Sequence, residues 1–566
     1  MTSHNTAARG WQVVRLLVAL VLLNGALTFA NVWPSLGVRW RAEWSVELAA
    51  LVALLAFWHM AGRPLSRRAL QCLSAGMVLL VLGRYADVTS PALYGRPVNL
   101  YWDLPHASEV IGMLTRVASG WLLAALGVGV LAVLALLYGL ARWSLGQVDE
   151  TLRAQRSVRI GLGGTGVLLV ACFLAQQISP RVPRLPRFSI PVTEVYGIQV
   201  ARVAAVLSGK GTQTLPPSPV LESTLDALAG DDVLLIFVES YGRTTYDRPE
   251  FSSELRPARE RLEAAIQGTG RSVVSAFVTS PTFAGTSVLA HLSLLSGIEV
   301  RDTRRYELLM TQRRPSVVSV FNRDGYRTIA WMPGNQHPWP EGRFYGFDHI
   351  YDAEQLGYRG PQFGWWHIPD QYSLAALDSR ELQNHPHQPL FVFFPTLSTH
   401  MPFRPTPPVQ PDWSRMLTPE PYDANPLHAA MTRTPEWTRL GESYAGSVQY
   451  FFDIFANYLK DHPEERCTVI LLGDHQPASS VSGEGASWDV PVHVISSRPE
   501  ILQALRADGF QPGLHPTGPA LGRMNQLTQW LLAAFNGAAQ APVPDSATLK
   551  SSVPIASATR RPAERM

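Results

Sequence analysis

The sequence predicts an N-terminal five-helix transmembrane domain plus an α/β outer domain, in which a mostly parallel sheet carries helices on both faces. Two observations lead to this fold class. Residues 1–180 contain five apolar segments, and short apolar runs alternate with amphipathic stretches from residue 232 onward. Alternation of this kind is typical of parallel sheets whose strands are joined by helices. At 566 residues, the chain is long enough for two or three such units.

The apolar segments of residues 1–180 indicate a membrane domain. They are Leu16–Val32, Val46–Ala61, Ala69–Gly83, Trp121–Leu140 and Ile160–Ile178. Spanning a bilayer takes roughly 20 apolar residues, and the second and third segments are marginal against that length. The first segment could be a signal peptide, but four segments follow it and no small-residue cleavage site is evident. We therefore predict a transmembrane helix there too.

Arginines in the short loops predict how these helices are oriented. They cluster between segments two and three (Arg63, Arg67, Arg68) and between segments four and five (Arg142, Arg153, Arg156, Arg159). The positive-inside rule places both loops in the cytoplasm, so an odd number of crossings delivers the rest of the chain to the outer side. Arg39, Arg41, Arg84, Arg96 and Arg116 fall on the outer side against this rule.

Composition divides the remainder of the chain. Residues 181–231 are rich in proline and arginine and predict a semi-rigid linker, within which Thr193–Leu207 forms a short helix on the membrane surface. Residues 232–536 form the outer domain. Residues 537–566 are rich in Pro, Ala and Ser and predict a disordered tail. A net charge of +3 is too small to indicate a nucleic-acid partner.

The outer domain is predicted to contain six strands and at least four helices. The strands are Val233–Val238, Ser272–Val278, Arg327–Met332, Leu390–Phe394, Thr468–Leu472 and Val490–Ile495. The helices are Pro257–Gln267, Ser287–Ser296, Gly441–His462 and Gly522–Phe535. Because the first strand is uniformly apolar, we expect it to be buried on both faces of a parallel sheet.

Polar side chains follow four of these strands. Glu239 ends the first, Thr286 follows the second at the start of a helix, and His400 follows Leu390–Phe394. Asp474 and His475 follow Thr468–Leu472. Ligands of open α/β sheets bind outside the carboxyl ends of the strands, so we expect these side chains to meet at one edge.

These residue types together predict phosphoryl transfer. Glu239, Asp474 and His475 supply oxygen and nitrogen ligands suited to Zn²⁺ or Mn²⁺. Such an ion could also bind the hydroxyl of Thr286 and lower its pKa, making it a nucleophile. The helix N-terminus at Thr286 would stabilise a phosphate. Taken singly, Glu239 or Thr286 could instead cap a helix, and Asp474-His475 could be a turn.

The motifs around these residues resemble the alkaline phosphatase/sulfatase superfamily, and specifically its membrane-bound lipoteichoic-acid synthase and phosphoglycerol transferase branch. The resemblance rests on FVESYG with Glu239, AGTSVLAHLSLLSG with Thr286, LSTHMPF with His400, and LLGDHQP with Asp474 and His475. It implies Glu239, Thr286, Asp474 and His475 as metal ligands and Thr286 as the nucleophile. It also implies that His400 is a catalytic and substrate-binding residue.

The substrate pocket departs from the family pattern. The sulfatase nucleophile motif Cys/Ser-x-Pro-x-Arg is absent, which argues against formylglycine chemistry. In the segment GNQHPWPEGRFYGFDHIYD, Arg343 is offered as the substrate arginine, although its spacing does not align with the family. His337, Trp366 and His367 are further substrate-binding candidates; the alternatives are surface histidines that hydrogen-bond locally and an aromatic residue used in packing.

The resemblance implies a membrane-anchored transferase with one divalent ion, Mn²⁺ or Zn²⁺, with Mg²⁺ as the alternative. The donor would be a membrane phospholipid, whose phosphoglycerol or phosphoethanolamine headgroup passes through phospho-Thr286 to an envelope glycan, lipid or polymer. The implied location is the bacterial inner (cytoplasmic) membrane, with the catalytic domain on the periplasmic or extracellular side. Two alternatives stay open: a metal-dependent phosphodiesterase, phosphatase or sulfatase-like hydrolase, and a non-enzymatic lipid-sensing regulator.

Overall fold

The computed structural model describes most of the chain. The described residues are 2–32, 35–94, 98, 120–179, 183, 185–207, 215–336, 339, 341–363, 368–383, 387–433, 439–463 and 466–536. The predicted disordered tail, residues 537–566, lies outside them.

Five apolar helices form the N-terminal part of the described chain. They are α1 (Thr2–Thr28), α2 (Val46–Met60), α3 (Arg67–Tyr94), α4 (Gly120–Ala154) and α5 (Arg156–Ile178). All except α2 are long and apolar enough to cross a membrane, whereas α2 has only 15 residues. Helix α2 packs closely along α5, because a Cβ added at Gly166 would lie 2.6 Å from the Ala49 carbonyl oxygen. A two-residue antiparallel pair, β1 (Ala30–Asn31) and β2 (Val38–Arg39), follows α1.

The linker helix predicted at Thr193–Leu207 is present as α6 (Val192–Leu207) and is docked on the membrane helices. Glu47 Oε1 accepts hydrogen bonds from the backbone N–H groups of Val192 (2.5 Å) and Thr193 (3.3 Å). Tyr196 Oη donates to the Leu79 carbonyl at 2.7 Å. A glutamate beside the first N–H groups of a helix satisfies donors that have no partner within the helix. Side-chain bonds to α2 and α3 therefore fix the start of this helix.

An eight-stranded sheet forms the centre of the outer domain, and all six predicted strands are confirmed. Its strands are β3 (Asp232–Val238), β4 (Ser272–Thr279), β5 (Arg327–Trp331), β6 (His349–Tyr351), β7 (Leu390–Pro395), β8 (Cys467–Gly473), β9 (Asp489–Ser496) and β10 (Gln511–Pro512). Their order across the sheet is β10-β4-β9-β8-β3-β7-β5-β6. Only β9 and β10 run against the other six, as the pairings show, so the sheet is mostly parallel.

Helices cover both faces of this sheet. They are α7 (Thr244–Asp247), α8 (Pro249–Gly268), α9 (Ser287–Ser296), α10 (Thr303–Met310), α11 (Val317–Arg323), α12 (Gly342–Tyr345), α13 (Ala353–Leu356), α14 (Asp370–Leu377), α15 (Trp413–Met416), α16 (Ala424–Met431), α17 (Leu440–Asp461), α18 (Ser479–Ser482), α19 (Pro499–Ala507) and α20 (Met524–Ala534). Strand β3 is buried throughout, and its side chains alternate between two apolar cores, one on each face. This is the double-faced burial expected of a central parallel strand.

Helix α8 begins eight residues before its predicted start at Pro257. Proline favours the first turn of a helix, which is why Pro257 is a natural place to predict a start. Pro249 occupies that first turn instead, and Pro257 lies inside the helix. The buried side of α8, which includes Leu255, Leu262 and Ile266, packs against α17. Packing of this apolar side therefore outweighs the cost of an internal proline.

Candidate active site

The carboxyl ends of β3, β4, β7 and β8 lie at one edge of the sheet because these strands run in the same direction. Glu239 follows β3 directly, and Asp474 and His475 follow β8 directly. Strands β3 and β8 are neighbours in the sheet, with Val238 paired to Gly473. Glu239 and the pair Asp474-His475 therefore lie side by side at the ends of two adjacent strands.

Glu239, Asp474 and His475 form a cluster suited to a cation. One ligand atom from each lies within 4.8 Å of the others. Asp474 is completely buried, and among the described residues its Oδ2 has no hydrogen-bond partner. Its other oxygen accepts from the Ser240 N–H at 2.8 Å. A buried carboxylate oxygen without a partner is costly, so the donor set fits a divalent metal ion that would bind it.

The orientation of His475 also suits this cluster. Its Nδ1 lies 2.8 Å from the Gln476 carbonyl oxygen, which requires Nδ1 to carry the proton. Its Nε2 then offers a lone pair and lies 3.4 Å from Glu239 Oε1 and 3.5 Å from Asp474 Oδ2. Metal-binding histidines are commonly oriented in this way, with the second ring nitrogen donating to a carbonyl or carboxylate.

The pKa values of Asp474 and His475 are both raised above their ordinary values. Burial raises the pKa of Asp474 to about 6, and the nearby Glu239 carboxylate adds to the rise. For His475, burial alone would lower the pKa, but the carboxylates of Asp474 and Glu239 outweigh it and the pKa is raised. Two buried carboxylates repel each other when both are ionised, and a positive charge between them stabilises the ionised form of both. The cluster is therefore electrostatically incomplete without a cation.

Two glycines allow the backbones that carry these ligands to approach each other. A Cβ added at Gly473 would lie 1.8 Å from the Tyr241 carbonyl oxygen. A Cβ added at Gly242 would lie 2.8 Å from the Gln476 Cα. Both distances are too short for any side chain, so the loops after β3 and β8 can be this close only because both positions are glycine.

The hydroxyl groups at the start of α9 complete this edge. Thr286 is the N-cap residue of this helix, with φ of 60°, and its side chain makes no capping hydrogen bond. Its side chain is exposed. The next residue, Ser287, places its Oγ 3.2 Å from Glu239 Oε2 and 3.2 Å from His475 Nε2. Ser287 was not among the predicted site residues, although it adjoins Thr286 in the same GTS motif.

Four non-glycine residues around this edge adopt left-handed backbone conformations: Ser240, Ala284, Thr286 and Phe403, with φ between 55° and 66°. Such conformations are costly for residues with a Cβ and cluster at functional sites, where the surrounding structure enforces them. Thr286 is a predicted site residue and Ser240 adjoins Glu239, while Ala284 lies two residues before Thr286 and Phe403 lies three residues after His400. The strain therefore coincides with the sheet edge that carries the ligand cluster.

His400 lies in a tightly held loop after β7. Buried Asp370 accepts hydrogen bonds from the Leu397 N–H (2.7 Å) and the Ser398 N–H (2.9 Å). His400 Nδ1 lies 2.7 Å from the Met401 carbonyl oxygen, which places the proton on Nδ1. Burial lowers the pKa of His400, and the charges of His475 and Asp474 are close enough to modify it. The imidazole is therefore neutral near pH 7, with Nε2 as an acceptor.

With the site described, comparison with protein families identifies the outer domain. The family model described as Sulfatase matches residues 231–495, which include the ligand cluster, the GTS motif and His400. These residues form a sulfatase-family domain. The match covers the sheet from β3 to β9 and confirms the superfamily predicted from the motifs.

Solved structures similar to the chain include three with informative names. The lipoteichoic acid synthase LtaP from Listeria monocytogenes is 14% identical, with 60% of this chain and 79% of that chain covered and a TM-score of 0.34. The phosphoglycerol transferase GacH from Streptococcus pyogenes is 11% identical, with 60% and 81% covered and a TM-score of 0.35. The periplasmic domain of EptC from Escherichia coli, in complex with Zn, is 15% identical, with 50% and 77% covered and a TM-score of 0.33. Similarity at this level carries no conclusion about substrate. No curated protein sequence matches the chain significantly.

One buried histidine of the sulfatase-family domain was missed by sequence reasoning. His291 lies on α9, four residues after Ser287, with its ring between Phe237 and Phe393 at centroid distances of 4.5 and 5.2 Å. Its Nε2 has no hydrogen-bond partner, and burial lowers its pKa to about 4. The apolar neighbours keep it neutral. The only sequence signal was its position one helical turn beyond the GTS motif.

The remaining predicted substrate residues of the sulfatase-family domain are placed as follows. Arg343 is exposed on α12, and within the described residues no hydrogen bond or ion pair joins it to Glu239, Asp474 or His475. His337, Trp366 and His367 lie outside the described residues. The structure therefore brings together Glu239, Ser287, Asp474 and His475, and it leaves the substrate pocket as a prediction.

Proposed function

We propose that the protein is a membrane-anchored, metal-dependent phosphotransferase. It would move a phosphoglycerol- or phosphoethanolamine-type headgroup from a membrane phospholipid to a hydroxyl of an envelope glycan, lipid or polymer. The observation that carries the proposal is the hydroxyl pair at the start of α9, where Ser287 Oγ lies 3.2 Å from both Glu239 and His475 and Thr286 is exposed beside it. The apolar N-terminal helices support a donor that resides in the bilayer.

The ligand set of the proposed site is Glu239, Asp474 and His475, with the Thr286 hydroxyl as a fourth ligand. A divalent ion bound there, Mn²⁺ or Zn²⁺, with Mg²⁺ as the alternative, would lower the pKa of a hydroxyl and neutralise phosphate charge. Asp474 supports this assignment because its buried Oδ2 has no hydrogen-bond partner in the described part of the chain.

Thr286 is the proposed nucleophile. Its hydroxyl attacks the phosphorus of the lipid phosphodiester, and the diacylglycerol oxygen leaves with a proton, so that a phospho-headgroup remains on Thr286. The backbone N–H groups of Ser287 and Val288 precede the first hydrogen bond of α9, which joins the Leu289 N–H to the Thr286 carbonyl, and they would donate to the incoming phosphate. An acceptor hydroxyl then attacks the same phosphorus, and the bond between phosphorus and Thr286 Oγ1 breaks. His400 Nε2, which is neutral and accepting near pH 7, takes the proton of the acceptor and returns it to the threonine oxygen.

Arg343, His337, Trp366 and His367 are retained as proposed substrate-binding residues. An arginine at the phosphate would pair with two of its oxygens at once and so fix its orientation. Arg343 is exposed on α12, which supports this role because a substrate can reach an exposed side chain.

Ser287 is the second candidate for the nucleophile. Its Oγ already lies within hydrogen-bond distance of Glu239 Oε2 and His475 Nε2, each of which could accept its proton. Mass spectrometry of the full-length protein incubated with a phospholipid donor decides between the two hydroxyls, because the adduct can be assigned to one residue. We expect the adduct on Thr286, its loss in Thr286→Ala and its persistence in Ser287→Ala. An adduct on Ser287 would move the nucleophile by one residue, and no adduct on either would overturn the covalent mechanism.

Hydrolysis is the competing reaction. The exposure of Thr286 favours it, because water reaches the place where an acceptor would attack. A chromogenic phosphodiester separates the two functions. A transferase should release the chromophore in a burst close to one equivalent, and an added acceptor should accelerate turnover. Rapid steady release that no acceptor accelerates would establish the hydrolase instead.

A further inference from the structure

The loop between β4 and α9 has an unusual backbone just before the proposed nucleophile. Three consecutive residues, Ala284, Gly285 and Thr286, have positive φ angles of 57°, 134° and 60°. A residue with a Cβ rarely adopts such an angle, and a run of three requires contacts that hold it. A Cβ added at Gly285 would have nothing within 4 Å, so the glycine is needed there for its φ angle rather than for space.

Thr282 supplies one of these contacts. Its side chain is buried, and its Oγ1–H donates a hydrogen bond to the Gly285 carbonyl oxygen at 2.6 Å. In the described part of the chain, this carbonyl accepts no other hydrogen bond. The carbonyl and the Thr286 N–H belong to one planar peptide unit, so a bond to the carbonyl fixes the orientation of the whole unit. Because that orientation sets φ of Thr286, the Thr282 hydroxyl acts directly on the conformation of the proposed nucleophile.

Thr286 is held on its other side by helix α9. Its carbonyl oxygen accepts a hydrogen bond from the Leu289 N–H at 3.0 Å. The position of Ser287 therefore follows from the helix, whereas the Thr286 side chain also depends on the peptide unit before it. Release of the Gly285 carbonyl would let Thr286 return to an ordinary negative φ, and its hydroxyl would move while Ser287 stays in place.

The same loop is bonded to the loop that carries the metal ligands. Ser280 Oγ donates to the Asp474 carbonyl oxygen at 2.5 Å, and the Ala284 N–H donates to the Gln476 carbonyl oxygen at 3.1 Å. The Gln476 carbonyl oxygen also accepts from His475 Nδ1 at 2.8 Å. These bonds hold the loop beside the ligand cluster. A change confined to the peptide unit before the nucleophile would therefore leave the loop as a whole in place.

We propose that Thr282 is a positioning residue that decides which of two adjacent hydroxyls, Thr286 or Ser287, reacts with the phosphodiester. The proposal rests on the proposed transferase function and adds the reason why one hydroxyl is used. The same bonds change in either case: the hydroxyl oxygen forms a bond to phosphorus, and the diacylglycerol oxygen leaves with a proton. Ser287 is the competitor, because its Oγ lies 3.2 Å from Glu239 Oε2 and from His475 Nε2.

The first test locates the phospho-headgroup adduct by mass spectrometry, in Mn²⁺-loaded full-length protein incubated with phosphatidylglycerol or phosphatidylethanolamine. In Thr282→Val, which lacks the hydroxyl, we expect adduct formation to fall roughly tenfold and part of the adduct to appear on Ser287. Thr282→Ser keeps the hydroxyl and should restore the adduct to Thr286. Thr269→Val is the matched control, because the Thr269 hydroxyl also donates to a backbone carbonyl, that of Ile266 at 2.9 Å, but does so at the end of α8.

The second test does not depend on catalysis. Thr286→Cys and Ser287→Cys are labelled with a maleimide in the absence of metal, and the unsubstituted chain is the control for its three native cysteines. Thr286 is exposed and Ser287 is half-buried, so the thiol at position 286 should react faster. Adding Thr282→Val to each should reduce the difference between the two rates, because the side chain at 286 loses its fixed orientation.

The two tests separate the role of Thr282 from the transferase function. An adduct confined to Thr286 at the wild-type rate in Thr282→Val, with unchanged labelling, would overturn the role of Thr282. Failure of Thr282→Ser to place the adduct on Thr286 would overturn it as well, because that variant keeps the donating hydroxyl. Altered labelling in Thr282→Val without an adduct in any protein, the wild type included, would reject the covalent transferase and leave the positioning role intact.

Discussion

At the scale of single residues, Asp474 combines full burial, a carboxylate neighbour and an unpartnered oxygen. These features separate it from an ordinary turn aspartate and link metal binding to pH. Only deprotonated Asp474 and His475 can bind a metal ion, and the pKa values of both are raised in the absence of one.

We therefore expect the affinity for Mn²⁺ or Zn²⁺ to rise with pH and to fall steeply below about pH 6, where Asp474 takes up a proton. The loss should approach about tenfold per pH unit for each proton displaced. Calorimetric titration of the full-length protein between about pH 5 and 8 measures it. Asp474→Asn is the control and should bind weakly at every pH. An affinity that is flat across pH 6 would contradict the assigned ligand set.

Asp370 is a positioning residue rather than a catalytic one, because it acts on His400 through two backbone N–H groups. In Asp370→Asn, one oxygen acceptor becomes an NH₂ donor that faces a backbone donor. We expect a loss of about 1–3 kcal/mol in the free energy of unfolding. We also expect a fall in turnover, because the loop before His400 loses its anchor. Thermal unfolding and turnover are measured on the same preparation, with the exposed Asp461→Asn as the control. Unchanged turnover would show that the loop is held by other contacts.

Ser287 marks the limit of residue-level prediction from the sequence. The prediction from the GTS motif was that the Thr286 hydroxyl would meet the ligand cluster, whereas the structure places the Oγ of Ser287 within hydrogen-bond distance of Glu239 and His475. Which of two adjacent hydroxyls faces the cluster depends on the left-handed conformation at Thr286. The surrounding structure enforces this backbone conformation, and the residue types of the motif do not indicate it. The motif therefore could not show which of the two hydroxyls faces the cluster.

At the scale of elements, the six main strands were predictable because buried parallel strands are continuous apolar runs bounded by polar residues. Strands β6 and β10, with three and two residues, were not. Such short edge strands exist only because a neighbour offers backbone partners, and no apolar run specifies them. The cluster of Glu239, Asp474 and His475 was predictable for the same reason as the strands, since each of these residues follows a strand that the sequence defines.

Gly473 tests whether the approach of β3 and β8 builds the ligand cluster. In Gly473→Ala, the new methyl would meet the Tyr241 carbonyl, which lies 1.8 Å from the Cβ position, so one loop must move. We expect metal affinity and turnover to fall by roughly a hundredfold, because ligands misplaced by about 1 Å no longer bind one ion together. Gly268→Ala, at the end of α8 with nothing within 4 Å, is the matched control and should behave as wild type. Full metal affinity in Gly473→Ala would show that the two loops adapt independently.

At the scale of the whole molecule, a short helix links the loop that carries Asp474 and His475 to the apolar N-terminal helices. Helix α18 begins four residues after His475 and packs against α3 of the membrane domain. Ser479, Val481 and Ser482 of this helix are buried. The sequence could not predict this contact, because its partners are separated by about 390 residues and neither carries a distinctive pattern. The proposed reaction on a membrane lipid would require the ligand cluster to stay near the bilayer, and this contact is a direct structural link between the two.

The same geometry makes the orientation of the membrane helices testable. With α1 to α5 crossing in turn, the positive-inside rule places the loop between α2 and α3 in the cytoplasm and the sulfatase-family domain outside. Pro64→Cys and Glu420→Cys report on the two sides, since both positions are exposed. In intact bacterial spheroplasts, a membrane-impermeant maleimide should label Glu420→Cys at once and Pro64→Cys only after permeabilisation. The chain without either substitution is the control for labelling of Cys72, Cys172 and Cys467. Immediate labelling of Pro64→Cys would mean that the short helix α2 does not cross the membrane. The number of crossings before the sulfatase-family domain would then differ from five.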